Sequence, residues 1–589
     1  MLRLFWTTLL VSLIGGLPVL AQGQAPAKVE GQEATAAPAI EVVTDVTIFS
    51  SRLNQAAMEE AEFDYRRGIK YWANLADRAG LSFRVAGDYE LSTGPAKSKL
   101  YILHYIERLT PEQRQQLTAL ANSGASMIVI GMAGSADAEG ATHPPSLAEE
   151  WFDLKDIRPY TPKESAYFVT LPPSPLALTI DPGRRFEFDW SGRYYLANTL
   201  NAAAGNVDWL LRPFPEAPDH AQNAVAAIRT VKGARLAWFG VGPDAVVDES
   251  DARPMFDSSV IHLLHWMVRK PVAAICHWPG CARAAAIVTA DVEDKFETGD
   301  TIALACHKEN VRGSFFLVGK LAPDYPEVVA ALAENGEIGT HSMQHGSFKE
   351  RGYKEQLQEL EEGKAGLEKI GITDVMGFRP PMEEYDYDTI HAVAHADLKF
   401  IYGNLDYDRA FPIVRDIDGK YIYQFARIVA DDYNLVFERG VTSSAEYQRE
   451  YFKEFQFIQR LGGVFPFSFH TNYLALQESV DVVRAMIVRL RQEKAWITTF
   501  GEVIDWLYAR EQISVTTTSE GSMIVISVQN KSEATIAKLP VRVFPHRDQV
   551  QLVPVATPSR GLTVGPTGPN GAIIQIDVNP GETKVIKLR

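Results

Sequence analysis

Two histidines, His341 and His345, stand four residues apart in the stretch Gly-Glu-Ile-Gly-Thr-His-Ser-Met-Gln-His-Gly-Ser-Phe at 336–348. One helical turn between them brings both imidazoles to the same side, where they can take a common metal ion. About fifty residues earlier an apolar run ends in Thr-Ala-Asp-Val-Glu-Asp, which carries Asp291, Glu293 and Asp294. Such a cluster supplies what two histidines lack, a hard oxygen ligand and a base for an attacking water. Together they point to a metal-dependent hydrolase. In an extended strand end Asp291 and Glu293 face one side and Val292 the other. Asp291 then fits the base and Glu293, with its longer reach, the metal. Asp294 takes the ligand role instead if the chain turns directly after Val292. His391 and His395 repeat the four-residue spacing inside a largely apolar helical stretch without a strand end beside them. They read as packing residues, as do His262 and His265.

These groups need elements to position them. From 284 onward apolar strand-like runs (284–291, 313–318, 375–382, 421–428, 464–470, 496–499) alternate with helical stretches, the last of these at 501–510. Regular alternation of this kind suits a (β/α) barrel, complete or short of one unit, and such barrels keep their chemistry at the carboxyl ends of the strands. An earlier series of strand and helix patterns begins at 43 and runs to a closing helix at 258–268, with Thr110-Pro111-Glu112 as a strong helix start. It implies a mostly parallel sheet covered by helices. From 513 the pattern changes to period-two alternation with Gly-, Pro- and Asn-rich turns, as in Met-Ile-Val-Ile-Ser-Val at 523–528, and reads as a small antiparallel β-sandwich packed on the barrel. The expected domains are 41–270, 275–511 and 512–589.

A chain of 589 residues is too long for one core. With 58 Lys and Arg against 74 Asp and Glu, and no basic run, nucleic acid and anionic membrane surfaces are poor partners. A neutral or cationic substrate suits the charge better. Residues 1–21 have a short basic start, an apolar run broken by Gly15, Gly16 and Pro18, and a small residue at Ala21, the form of a secretory signal peptide rather than a membrane anchor. An Ala-, Gln-, Gly- and Pro-rich linker follows at 22–40. No later apolar stretch reaches the roughly 20 residues needed to span a bilayer, so the mature protein is expected to be exported, periplasmic or extracellular. Of three cysteines, Cys276 and Cys281 flank His-Trp-Pro-Gly and can form a small-loop disulfide or remain thiols, and Cys306 lies in a helical stretch as a small hydrophobe.

The ordered series Thr-Ala-Asp291-Val-Glu-Asp294, His341-Ser-Met-Gln-His345, Gly-Phe-Arg379-Pro-Pro and Phe-Ser-Phe-His470 resembles the NodB-like polysaccharide deacetylases, carbohydrate esterase family 4. The resemblance covers about 280–510. It implies a distorted (β/α) barrel that uses one divalent metal, commonly zinc, to remove N- or O-acetyl groups from a polysaccharide. In that chemistry Asp291 is the base, Arg379 orients it and keeps it ionised, and His470 is the acid that protonates the leaving group. Four features depart from the family pattern. The usual adjacent Asp pair is stretched to Asp291-Val-Glu293-Asp294, Met382 replaces an aromatic residue, Ser468 stands where an apolar residue often precedes the final His by two, and the Asp that tunes the acid has only Asp431-Asp432-Tyr433 as its nearest counterpart. The region 41–270 resembles the flavodoxin-like, glutamine amidotransferase-like domains attached to carbohydrate enzymes, but no cysteine precedes Cys276, so that nucleophile is missing. The whole reads as an α/β multidomain chain: flavodoxin-like domain, deacetylase barrel, β-sandwich. Competing readings are a catalytically silent carbohydrate-binding or assembly protein, and a hydrolase of another carbon-nitrogen bond on the same barrel.

Overall fold

The computed structural model describes residues 44–589, apart from 161–165, 190–192, 199–206, 214–222, 232, 248–251, 404–409, 475–479, 549, 556–560 and 569. The signal peptide and linker expected at 1–21 and 22–40 lie outside the described residues. Among the described residues no helix is long and apolar enough to cross a membrane.

In the amino-terminal region, five strands form a parallel array: Thr44–Phe49, Phe83–Ala86, Ser98–His104, Ser126–Ile130 and Ala234–Phe239. Their spatial order is second, first, third, fourth, fifth, the order of doubly wound flavodoxin-like sheets. Buried side chains such as Val46, Ile48, Leu100 and Ile102 fill the space under the covering helices. The helix Pro111–Asn122 starts where its sequence directs, with a Thr110/Gln113 capping box and Pro111 in the first turn. Beyond the fifth strand the sheet continues antiparallel through Asn223–Val231, Val207–Pro213, Ala166–Thr170 and Phe186–Glu187. This extension corrects the expectation of a mostly parallel sheet.

The second sheet carries the candidate site. Its order is Ile413–Ile417, Lys420–Ala426, Phe400–Gly403, Val375–Phe378, Gly336–Thr340, Gly313–Leu317, Ala285–Val292 and Val464–His470, with Trp496–Thr498 beside the start of Ala285–Val292. Every pairing is parallel except the hairpin of Ile413–Ile417 with Lys420–Ala426. The central strands are buried over their whole length, and Ala285–Val292 and Gly313–Leu317 read as largely apolar runs rather than alternating ones. The sheet curls into a half-barrel. Its two end strands, Ile413–Ile417 and Val464–His470, do not pair among the described residues, so the expected barrel is open.

The carboxyl-terminal region forms two antiparallel sheets, Ile513–Glu520 with Met523–Asn530 and Thr583–Leu588, and a second built on Ile536–Phe544, Ala572–Val578 and Thr563–Val564. Alternate residues such as Ile524, Ile526, Val541, Val543, Ile574 and Ile576 point into a shared core. The second sheet takes one strand from far earlier in the chain: Val272–Ile275 pairs antiparallel with Ile536–Phe544, Val272 opposite Phe544. The strand at the boundary between the first two expected domains therefore belongs to the third. Cys276 and Cys281 directly after this strand are joined as a disulfide, and Cys306 is buried and free.

Candidate metal centre and active site

Asp291, His341, Arg379 and His470 each sit at or just past the carboxyl end of a parallel strand of the half-barrel. Asp291 lies opposite His470 in the register of Ala285–Val292 against Val464–His470. The sheet thus delivers four widely separated polar residues to one rim.

His341 and His345 do not share a helix. His341 follows the strand Gly336–Thr340, and the chain then turns through left-handed backbone at Ser342 (φ 67°) and His345 (φ 60°). The Ser342 hydroxyl accepts the His345 N–H at 2.9 Å and closes the turn. The imidazole centroids end 4.8 Å apart. A tight loop therefore achieves the convergence that one helical turn was expected to give.

Glu293 completes this pair. Its Oε2 lies 2.7 Å from His345 Nε2 and 3.5 Å from His341 Nε2, and one donor atom from each of the three residues falls within 4.8 Å of the others. Asp294 is exposed and outside the cluster. The choice between the two carboxylates is made by Thr471, whose hydroxyl accepts the Glu293 N–H at 3.2 Å and donates to the Asp294 carbonyl at 2.7 Å. Lys295, at φ 55°, then carries the chain away.

The donor set fits a divalent ion. His341 Nδ1 lies 2.8 Å from the Arg379 carbonyl. A carbonyl only accepts, so Nδ1 carries the proton and Nε2 presents its lone pair to the cluster. Burial opposes ionisation of Glu293, but the bonds to His341 and His345 outweigh it and hold the carboxyl well below its ordinary value. The Glu293 bond in turn raises His345. An incoming cation has to displace that proton, which makes affinity fall as pH falls.

Asp291 is buried and receives the Arg379 Nε–H on Oδ2 at 2.5 Å. Burial alone raises such a carboxyl, but Arg379, His341 and His470 together hold it below the ordinary range. Its second oxygen, Oδ1, is buried and has no hydrogen-bond partner among the described residues. Arg379, 2 % exposed, is itself fixed on several sides: Nη1 donates to Glu383 at 3.1 Å, Asp431 stands 4.0 Å from Nη2, and the Tyr402 ring lies 4.5 Å from the guanidinium carbon. Arg427 shares Glu383 and Asp431 and so ties the group together. Met382 and Glu383 both adopt left-handed backbone, φ 56° and 57°, directly after Arg379-Pro-Pro. This bend returns Glu383 toward the guanidinium.

His470 is gripped by Asp432. Its Nδ1 donates to Asp432 Oδ1 at 2.6 Å, and its backbone N–H donates to Oδ2 at 2.9 Å. Nε2 faces Asp291 Oδ2 at 3.5 Å. Burial lowers the imidazole pKa, but the charges of Asp432 and Asp291 prevail and raise it to about 10. Asp432, the weakest of the sequence assignments, thus occupies the position of the carboxylate partner. Glu383, Arg427 and Thr471 were not read from sequence. The Glu383-Glu384 pair that follows Arg379-Pro-Pro-Met is the one available signal.

His391 and His395 lie elsewhere, on the helix Tyr387–His395. His395 bonds Tyr353 at 2.6 Å and Asp418 at 3.2 Å, and the His391 ring packs on Tyr387. His391→Ala and His395→Ala are therefore expected to keep full metal content, checked by elemental analysis of the purified proteins. His262 and His265 likewise contact Thr179 and the Ala79 carbonyl, remote from the rim.

Residues 297–401 match the family model for polysaccharide deacetylase. The chain carries a polysaccharide deacetylase-type domain. The matched stretch contains His341, His345 and Arg379; Asp291 and Glu293 stand just before it, and Asp432 and His470 beyond it. Among solved structures, the carbohydrate deacetylase Agd3 is 12% identical, covering 93% of this chain and 98% of its own, with a TM-score of 0.40. A probable polysaccharide deacetylase from Pseudomonas aeruginosa PAO1 is 14% identical over 39% of this chain and 92% of its own, TM-score 0.35. Puue allantoinase is 14% identical over 40% and 93%, TM-score 0.36. No curated protein sequence matches the chain.

Proposed function

We propose that this protein is an exported hydrolase that removes acetyl groups from a polysaccharide, using one divalent metal ion, zinc by its donor set, held by Glu293, His341 and His345. The observation that carries the reading is the convergence of these three side chains beside a buried, ionised Asp291 whose Oδ1 has no hydrogen-bond partner among the described residues. Two imidazoles and one carboxylate leave open positions, and an ion held there supplies Lewis-acid chemistry and acidifies a water. Asp291 Oδ1 accepts the proton of the attacking water. Arg379 keeps that carboxylate charged and immobile. His470, protonated at Nε2, donates to the departing nitrogen or oxygen, and Asp432 holds its ring in place and its proton on. The Cys276–Cys281 disulfide supports an oxidising compartment and with it the export signal at 1–21.

The test is acetate release from partially acetylated glucosamine polymers and from acetylated xylan, with and without chelator. Chelator-sensitive release on either supports the reading. Its absence on all of them favours a silent carbohydrate-binding protein.

The acid makes its own prediction. Asp432 favours protonated His470, so removing its charge lowers the imidazole pKa, and the proton is then lost as pH rises through the lower value. In Asp432→Asn the alkaline limb of the pH–rate profile is expected to move down by about one to three units, with activity better kept on the acid side. An alkaline limb that stays where it is in the parent enzyme would show that His470 is not the titrating acid.

A further inference from the structure

The amino-terminal ends of the half-barrel strands lie opposite the rim that carries Asp291, and two arginines meet there without a counter-charge. Arg542 sits on the strand Ile536–Phe544 opposite Ala274, and Arg283 stands just before the strand Ala285–Val292. Both line one cavity, whose wall includes His277, Trp278 and the Cys276–Cys281 disulfide. At about 3.3 Å per residue the length of Ala285–Val292 puts this cavity on the order of 20 Å from the catalytic rim.

Other guanidiniums taken out of water in this chain are paired. Arg235 meets Asp548 at 2.7 Å, Arg379 meets Asp291 at 2.5 Å, and Arg427 faces Asp431 at 3.4 Å. Arg542 is half-buried, yet it donates only to the neutral Asn570 carbonyl, at 2.6 Å. Among the described residues neither Arg542 nor the exposed Arg283 meets a carboxylate. Burial, together with the charge of Arg283, pushes the Arg542 guanidinium down to about 10. Burial also pushes His277 down to about 3, and the charges of Arg510 and Arg542 add to the effect, so this ring stays neutral. In a chain with 74 acidic residues against 58 basic ones, two cations and no acid on one cavity wall are a costly arrangement. A bound anion removes that cost.

The cavity sets the size of its guest. Its volume is about 50 Å³, and a water needs about 10–15 Å³ by the same measure, so the space suits a phosphate- or carboxylate-sized group and excludes a sugar ring. Its wall is fixed in advance. Trp278 Nε1 donates to the Gly462 carbonyl and Trp506 Nε1 to the His277 carbonyl, both at 2.6 Å, so a guest has little to order on binding.

We propose that Arg283 and Arg542 form a binding site for a small oxyanion at the base of the half-barrel, supplied as a free phosphate-like ion or as the carboxylate of an acidic sugar. Guanidinium forks match both groups, because each offers paired oxygens to paired N–H donors. The site does not depend on the chemistry at the rim. Its guest is held and not turned over.

Calorimetry on the full, metal-loaded chain would titrate inorganic phosphate, sulfate and glucuronate in chloride buffer at constant ionic strength. At least one is expected to bind at one equivalent with a Kd of about 1 mM or tighter. Arg542→Met, which keeps most of the volume and removes the charge, should abolish that binding. Arg283→Gln alters an exposed position that the fold does not need and should weaken binding about tenfold. Binding of phosphate or sulfate would support a free ion as guest, and binding of glucuronate alone would support an acidic polymer. Failure of all three to bind below about 10 mM, or undiminished binding in both variants, would overturn the site. So would stabilisation seen only at high salt, which reports exclusion of the salt from the whole protein surface.

Discussion

Glu293→Gln is expected to weaken metal binding on the order of 100-fold or more and to abolish turnover with it. Loss of a group that merely orients a metal ligand costs about 10- to 100-fold in affinity, so loss of the carboxylate ligand costs at least as much. Gln keeps the volume and a neutral carbonyl oxygen but removes the negative charge that faces His341 and His345 at 3.5 and 2.7 Å. The fold has little reason to suffer, because the strand Ala285–Val292 ends before this position. Asp294→Asn, one residue on, is expected to leave metal content unchanged, since that side chain is exposed and outside the cluster. Elemental analysis and competition with a chromogenic chelator check both. The opposite pattern, a full site in Glu293→Gln and an empty one in Asp294→Asn, would reassign the ligand.

Asp291→Asn is expected to lower kcat roughly 10²- to 10⁴-fold, the range for removal of a general base, with metal content retained. Its Oδ1 has no hydrogen-bond partner among the described residues, which leaves it available to a water, whereas Oδ2 is occupied by Arg379. Asparagine preserves the shape but cannot take the proton. Arg379 stays anchored in the variant through Glu383 and the Tyr402 face. Single-turnover kinetics together with metal analysis separate the two functions. An Asp291→Asn protein that lacks metal would exchange the roles of Asp291 and Glu293.

Much of this rim was legible in the sequence, for a physical reason. Parallel strands covered on both faces read as largely apolar runs, and a titratable residue that closes such a run marks a strand end. Asp291, Arg379 and His470 carry that mark, whereas the strand Gly336–Thr340 before His341 holds Glu337 and two glycines and does not read as an apolar run. What sequence left open depends on contacts between distant residues. Whether Glu293 or Asp294 meets the histidines is decided by a hydroxyl at Thr471, 178 residues from Glu293. Asp432 lies 38 residues before His470 and pairs with it only because the helix Asp432–Phe437 packs beside the strand Val464–His470. The four-residue spacing of His341 and His345 suggested a helical turn, but left-handed backbone at Ser342 and His345 gives the same convergence from a loop. Short elements were the other weak point. Phe400–Gly403 has four residues and no alternation, and Val272–Ile275 finds its partner strand more than 250 residues later.

We propose one metal ion, held by Glu293, His341 and His345, in a site that releases acetate. The most direct measurement is titration of zinc into chelated, metal-free protein with acetate release from an acetylated polymer as the readout. Activity is expected to rise from baseline and to break at one equivalent, with no rise in a His345→Ala control. Undiminished acetate release by the metal-free protein, or a full titration curve in His345→Ala, would contradict it.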